Sequence, residues 1–473
     1  MQGFQNAEIE IPDRRAGGAA THGRRNGADR LPIGMTLAAD LETPPLTAAG
    51  FRAIWGRLGA PRRVVIALSG GADSTALAHL CAPLHASGDA EILALTVDHG
   101  LRAGAAEEAR RASGYARALG VPHRVLTWDG EKPTSGVQAA ARAARYRLLI
   151  GAAENFGAST IMTAHHADDQ AETVLMRMKR GAGPRGLSAM AETSFVAAGA
   201  GPAMVLARPL LAYRKRDLVG LLRAHGHPFI EDPSNADPAF ERVRVRHALA
   251  AGAGPGFDAL IEMSRRAAAV AVDDERRERA AFDDLDGRFH PWGGASFLSR
   301  DGLADAGLAA RLIHAVGGGA HRPHHDRARA AMGVAASGHR ASLGGTLIRP
   351  WRGRTWVLRE PAAVLGRAGV APAGVVRLAP GARTCWDGRF VVANTGEDAL
   401  TLAALAAAPL ASNLAENAVF DDFDGPAEAK AAMPVAVRDS GRVAGPSGSS
   451  GGGDIAFEAL APERFYRRVN RFH

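Results

Sequence analysis

Between Arg62 and Thr163 four short β-rich runs alternate with three longer stretches of helical spacing. The runs are Val64–Leu68, Glu91–Val97, His123–Thr127 and Ser159–Thr163; the helical stretches lie near Ser74–His85, Glu107–Leu119 and Val137–Phe156. Strands regularly separated by helices are the signature of parallel pairing, in which each crossover carries the chain back to the same end of the sheet. The rhythm therefore predicts an α/β fold with a doubly wound parallel sheet, whose ligands gather at the carboxyl ends of the strands. Polar groups do follow the runs: Ser69 after the first, Asp98-His99-Gly100-Leu101-Arg102 after the second, Ala164-His165-His166 after the fourth.

The first of these junctions is Ser69-Gly70-Gly71-Ala72-Asp73-Ser74, set between an apolar run and an alanine- and leucine-rich helix. Two glycines open backbone angles closed to other residues, so successive N–H groups can converge on one anion beside two hydroxyls and a helix N-terminus. The hexapeptide predicts a phosphate cradle. Asp73 repels phosphate unless a cation bridges them; it reads as a magnesium handle or as a plain helix cap. The chain has no Gly-Lys dipeptide, which excludes the kinase-type phosphate loop. What remains resembles the SGGxDS loop of the PP-loop ATP pyrophosphatases, which implies cleavage of ATP between its α and β phosphates and activation of a carbonyl-type oxygen as an adenylate.

A second informative segment is Thr163-Ala-His-His-Ala-Asp-Asp-Gln-Ala-Glu-Thr173. Asp168 and Asp169 open a helix running through Met178, where the dipole favours negative charge, and Asp169 and Glu172 share a face at i and i+3. That face suits a cationic amine or a metal, or merely complements the helix end. His165 and His166 with Asp169 are too loosely spaced for a zinc site, and no cysteine supports one. At the far end Arg177, Lys179, Arg180 and Arg185 surround Gly181-Ala-Gly-Pro-Arg-Gly186. This matches GxGxxG literally but follows a helix and contains a proline, so a basic loop for an RNA backbone, or a solvated surface loop, are the two readings.

The chain of 473 residues has room for two or three domains, and 47% hydrophobic with 22% charged residues is globular in character without a membrane span. A net charge of +8 is compatible with a polyanionic partner. Only Cys81 and Cys385 are present, so there is no disulfide framework, and a reducing cytoplasmic setting fits. Residues 1–44 read as a disordered extension in which Met35 is an alternative start. Residues 45–237 read as the catalytic domain, and 238–335 as a helical domain contacting RNA. A small, mainly β domain over 336–395 and a low-complexity or weakly ordered tail over 396–473 follow.

Seven elements together carry a closer resemblance: Ser69–Ser74, Val97–Arg102, Ala141-Arg-Ala-Ala-Arg-Tyr146, Thr163–Thr173, Val174–Leu187, Arg208-Pro-Leu-Leu211 and Asp232-Pro-Ser-Asn235. Their order, across about residues 60 to 250, is similar to that of the bacterial tRNA(Ile)-lysidine synthases. The resemblance implies a ligase that joins L-lysine to the wobble cytidine of an isoleucine tRNA with a CAU anticodon, at the expense of ATP. It implies that Ser69, Gly70, Gly71, Ala72, Asp73 and Ser74 hold ATP and magnesium. Asp169 and Glu172 would receive lysine, one of them also serving as base, and Arg145 would lie near the reacting groups. Where that family often has an Arg-Asn pair, Glu241-Arg-Val-Arg-Val-Arg246 places Val243 in the asparagine's position, so RNA contacts by Arg242, Arg244 and Arg246 are less firmly implied. The rival readings are another adenylating enzyme of this fold or a non-catalytic tRNA-binding relative. Thiolating relatives use cysteine pairs absent here, and a glutamine-fed synthetase lacks its nucleophile.

Overall fold

The computed structural model describes residues 43–472 except 102–103, 131, 199–200, 202, 232–237, 239–240, 253, 299–302, 320, 367–371, 408–422, 439–442, 447–453 and 467–469. Met35, Arg102 and Asp232–Asn235 lie outside the described residues.

The first half runs α1 (Ala48–Arg57), β1 (Arg63–Ala67), α2 (Ala72–Ala86), β2 (Glu91–Asp98), α3 (Ala105–Ala118), β3 (His123–Thr127), α4 (Val137–Phe156), β4 (Thr160–Met162), α5 (Ala167–Lys179), α6 (Pro184–Leu187), β5 (Thr193–Ala198), β6 (Met204–Ala207) and α7 (Lys215–Ala224). Then come α8 (Glu241–Ala250), α9 (Phe257–Asp284), β7 (Arg288–Phe289), β8 (Ala295–Leu298), α10 (Ala306–Gly317), α11 (His325–Ala336), β9 (Ala341–Leu343), β10 (Thr346–Trp351), β11 (Arg354–Arg359) and α12 (Pro361–Leu365). The remainder comprises β12 (Val376–Leu378), β13 (Arg383–Trp386), β14 (Phe390–Asn394), β15 (Leu400–Ala404), α13 (Ala427–Ala431), β16 (Pro434–Arg438), β17 (Val443–Ala444), β18 (Ile455–Ala459), α14 (Ala461–Tyr466) and β19 (Asn470–Phe472).

The expected α/β sheet is present, in the order β19-β5-β6-β4-β1-β2-β3. β1 pairs in parallel with both β2 and β4, Val65 meeting Leu93 on one side and Ile161 on the other. Strand β1 is buried on both faces, as a continuous apolar run between two helical layers must be. One core cluster joins Phe51, Trp55, Leu77 and Leu222 on one face; a second joins Leu149, Ile150, Val65 and Leu206 on the other. From β1 the chain adds β2 and β3 on one side and then crosses to β4 on the other, so the topological switch point lies between the carboxyl ends of β1 and β4.

Two features depart from the sequence reading. Strands β7 and β8 fall inside the stretch read as helical and join β9–β11 in a five-stranded sheet. The stretch 396–473, read as a weakly ordered tail, contributes β15 to a four-stranded sheet, β18 to a three-stranded one and β19 to the edge of the first sheet. β15 is Leu-Thr-Leu-Ala-Ala, poor in β-formers; it is a strand because antiparallel neighbours β12 and β16 flank it and burial overrides propensity.

Candidate functional site

At the end of β1 the chain turns through Gly70, whose φ of +83° belongs to the left-handed region. A Cβ there would stand 2.6 Å from the Ile230 side chain, and the Ile230 backbone N–H donates to the Gly70 carbonyl at 2.8 Å. Glycine is thus required both by the angle and by the close approach of the segment after α7. The Ser74 hydroxyl accepts from the Ser69 N–H at 3.1 Å and donates to the Gly71 carbonyl at 3.1 Å, with the Ser69 hydroxyl also 3.1 Å away. The loop is therefore closed on itself before α2 begins at Ala72. It faces a pocket of about 630 Å³ at the carboxyl ends of β1 and β2, lined by Ser69, Gly71, Ala72 and Asp73 with Asp98, His99 and Arg145. Of the cradle residues, Gly70 and Ser74 shape the turn from behind.

Asp73 reaches out of the first turn of α2. Its Oδ2 lies 3.5 Å from His166 Nε2 and 3.8 Å from Lys215 Nζ, while its Oδ1 is buried without a hydrogen-bond partner. Burial would raise its pKa, but His166, Lys215 and Arg246 hold it below the usual carboxylate range. A charged oxygen left unpaired beside a phosphate-sized cradle fits a magnesium ion that completes its shell with water and phosphate oxygens. Asp73 would be a single carboxylate ligand, as magnesium commonly uses, and the described residues contain no cluster of three or more candidate ligands.

His166, immediately before α5, is the hub of the charged network. It is buried, with Asp168 Oδ2 at 3.5 Å from Nδ1 and Asp169 Oδ2 at 3.6 Å from Nε2. Burial disfavours its charge, yet contacts with Asp168 and Asp73 and the field of Asp169 push its pKa up to about 9. The neighbouring His165 shows the opposite outcome: burial and the surrounding arginines, Arg208 foremost, lower it to about 2. Asp168 accepts from Arg214 and from the Lys215 N–H at 2.7 Å, tying the start of α5 to the start of α7. The sequence marks His166 for its place after the fourth run and sets it aside as a zinc ligand, and it does not mark Lys215. The strand-end position of His166 was the available signal; for Lys215 only its place in a basic run before an apolar helical pattern pointed to a helix start.

Asp169 and Glu172 share a face, as their spacing requires, but arginines of α8 meet them. Arg242 Nε donates to Glu172 Oε2 at 2.8 Å and its Nη2 to Asp169 Oδ1 at 3.0 Å; Arg246 Nε donates to Glu172 Oε1 at 2.8 Å. Asp169 Oδ2 also accepts the His166 N–H at 3.1 Å. Burial and the charge of Glu172 raise the Asp169 pKa against the pull of His166 and Arg242. Val243 and Val245 are buried, while Arg242 and Arg246, one turn apart on α8, share the face that meets the carboxylates. Arg242 and Arg246 thus face the carboxylates, while Arg244 donates to the Pro238 carbonyl.

The basic end of α5 is also largely committed. Arg177 donates to the carbonyls of Gly186 and Ala189, closing the glycine loop. Arg185 pairs with buried Glu278, which Arg311 also engages, and Arg180 pairs with Glu241. Lys179 is exposed. Arg145 lines the large pocket and has no ion-pair partner among the described residues; burial lowers its pKa.

A family model described as a PP-loop domain matches residues 51–252. The chain is similar to proteins named tRNA(Ile)-lysidine synthase from several bacteria. One from Bradyrhizobium sp. is 44% identical over 50% of this chain and 64% of its own length, and one from Rhodopseudomonas palustris 50% identical over 43% and 59%. One from Methylobacterium nodulans is 39% identical over 65% of this chain and 93% of its own length. The chain thus spans somewhat less than two thirds of the first two relatives.

Proposed function

Because this chain belongs to the tRNA(Ile)-lysidine synthase family, built on a PP-loop ATP-binding domain, we propose that it ligates L-lysine to the wobble cytidine of a CAU anticodon in an isoleucine tRNA. The observation that carries the reading is the junction of two half-sites. A closed phosphate cradle with an unpaired Asp73 oxygen stands one histidine away from the Asp169–Glu172 pair.

In the first step the 2-keto oxygen of cytidine forms a bond to the α-phosphorus of ATP and pyrophosphate leaves. The free loop N–H groups, the hydroxyl of Ser69 and the guanidinium of Arg145 are preorganised donors for the phosphate charge, which is where such groups contribute most, while Ser74 holds the loop in shape. Magnesium held by Asp73 would neutralise the polyphosphate. In the second step the ε-amine of lysine bonds to the ring carbon that bears the adenylated oxygen, AMP leaves with that oxygen and the amine loses a proton. Burial and the charge of Glu172 raise the pKa of Asp169, which suits it to accept that proton. Arg242 and Arg246 occupy the cationic positions that lysine requires, so binding of lysine involves an exchange of partners at Glu172.

Residues 45–237 would supply the chemistry, with the parts beyond supplying RNA affinity, in a cytoplasmic enzyme. Separate measurement of adenylated tRNA and of the lysine adduct tests the reading. Glu172→Gln should raise the lysine concentration needed for turnover while adenylation survives better. A tRNA that yields no pyrophosphate from ATP with the unaltered protein would refute the ligase reading. Equal loss of both steps, independent of lysine, would move the two carboxylates into the structural framework.

A further inference from the structure

Helix α7 is preceded by Arg214 and opens with Lys215-Arg216, and these three side chains divide between two pockets. Lys215 lines the pocket in front of the Ser69 loop. Arg214 and Arg216 line a second one, of about 510 Å³, between the starts of α5, α7 and α9, together with Phe257 and Arg265. Its volume falls in the range of small-molecule sites.

The Arg214 guanidinium lies 3.4 Å from the centre of the Phe257 ring, and its Nε and Nη2 both reach Asp168 Oδ1, at 3.3 and 3.2 Å. A planar cation pinned on an aromatic ring and held at its edge is a rigid platform for another flat ring. Arg265 is half-buried and has no ion-pair partner among the described residues; Arg216 meets only Asp217, at 3.7 Å on the surface. Of the two carboxylates at the rim, Glu262 is engaged by Arg266 at 2.6 Å, and Asp258 is exposed. The other polar side chains are satisfied: Gln170 exchanges hydrogen bonds with the Met190 backbone, and Ser264 donates to the Ser188 carbonyl. The open capacity of the pocket is thus a stacking plane with two arginines beside it. That combination suits a base and its phosphate in single-stranded RNA.

We propose that this pocket binds one nucleotide of the RNA loop next to the reacting cytidine, its base stacked on the Arg214–Phe257 pair and its phosphate held by Arg265 and Arg216. The inference rests on the ligase reading above. Asp168 provides the physical link: it anchors Arg214 and contacts His166 at the charged network, so a base seated in the second pocket bears on the element that carries Asp169.

The experiment is a double-mutant cycle with the full chain and anticodon stem-loop RNAs in which each nucleotide flanking the reacting cytidine is made abasic in turn. Loss of the stacking base should weaken binding to the unaltered protein by about 5- to 100-fold at one flanking position. Phe257→Leu should cost a similar factor with intact RNA and little more with that abasic RNA, the signature of a shared interaction. Arg265→Gln, a change near the surface that holds even if the Phe257 variant folds poorly, should reduce the log–log salt slope by about 0.7 for one lost phosphate contact. ATP affinity of both variants separates loss of the pocket from loss of the fold. Losses that simply multiply, with an unchanged salt slope for Arg265→Gln, would overturn the pocket assignment even if tRNA-dependent pyrophosphate release is intact. Absence of that release from the unaltered protein would instead overturn the ligase reading, and this assignment with it.

Discussion

Two charge clusters in this molecule both set carboxylates against cationic side chains in the interior, and they have opposite character. In the later region Asp387 accepts from Arg359 through both oxygens, at 2.7 and 3.0 Å, and from Arg389 Nε at 2.5 Å. The arginines spend further donors on the carbonyls of Gly317, Gly345 and Ala432. Both carboxylate oxygens are used. At the start of α5, by contrast, His166 sits among three aspartates at 3.5–3.6 Å, longer than strong ionic hydrogen bonds, and one Asp73 oxygen has no partner although it is buried. A closed cluster can hold backbone segments together; an incompletely paired one beside a pocket has charge to offer a ligand. The difference separates structural from functional burial of charge, and each of the following measurements bears on it.

The largest effect is expected in the closed cluster. Asp387→Ala strands two guanidiniums in the interior, and breaking a buried pair this way costs about 3–5 kcal/mol. Denaturant unfolding should show it as a lower midpoint, and a loss below about 1 kcal/mol would mean that this cluster is not closed in the sense argued. Next comes Asp73→Asn in the open cluster. Loss of one preorganised charge-stabilising group is worth about 10²–10³ in rate, so tRNA-dependent pyrophosphate release should fall by that factor while the unfolding midpoint stays close to the unaltered protein's. A large stability loss with retained turnover would erase the distinction between the clusters.

A third measurement uses pH. Burial acts to raise the Asp168 pKa, but His166, the Lys215 N–H and Arg214 outweigh it and depress the folded-state value. The sign follows: the group's contribution is present above its unfolded pKa of about 3.9 and is lost as pH falls below that value. Asp168→Asn should therefore flatten the acid limb of stability against pH, by at most about 1.4 kcal/mol per pH unit. An unchanged acid limb would remove Asp168 from the network. The smallest effect is at the surface, where Lys179→Ala should reduce the salt slope of tRNA binding by about 0.7–0.9 with little change in stability. A drop in stability there would contradict its exposed placement.

The parallel sheet was legible because apolar runs of strand length between helical stretches allow little else, and β1 to β4 lie within two residues of their expected bounds at each end. The loop Ser69–Ser74 was legible because only glycine tolerates the Gly70 angle next to Ile230. Arg177 and Arg185 were read as loop charges open to RNA, yet one closes its own loop and the other meets Glu278 of α9. Sequence spacing reports which side chains share a face; it carries no information about the partner that comes to that face from 90 residues away. The same limit hid the arginines of α8 opposite Glu172.

Local chemistry therefore determined the strand–loop–helix units, the cradle, and the pairing of Asp169 with Glu172 on one face, since each depends on backbone angles or helical period within a few residues. Tertiary structure alone decided that His166 stands among three aspartates, that Lys215 reaches Asp73, that Ala403 and Ala404 lie in a strand, and that β19 joins in parallel beside β5. These depend on long-range packing, in which burial and the charges of distant segments outweigh the preferences of any one residue.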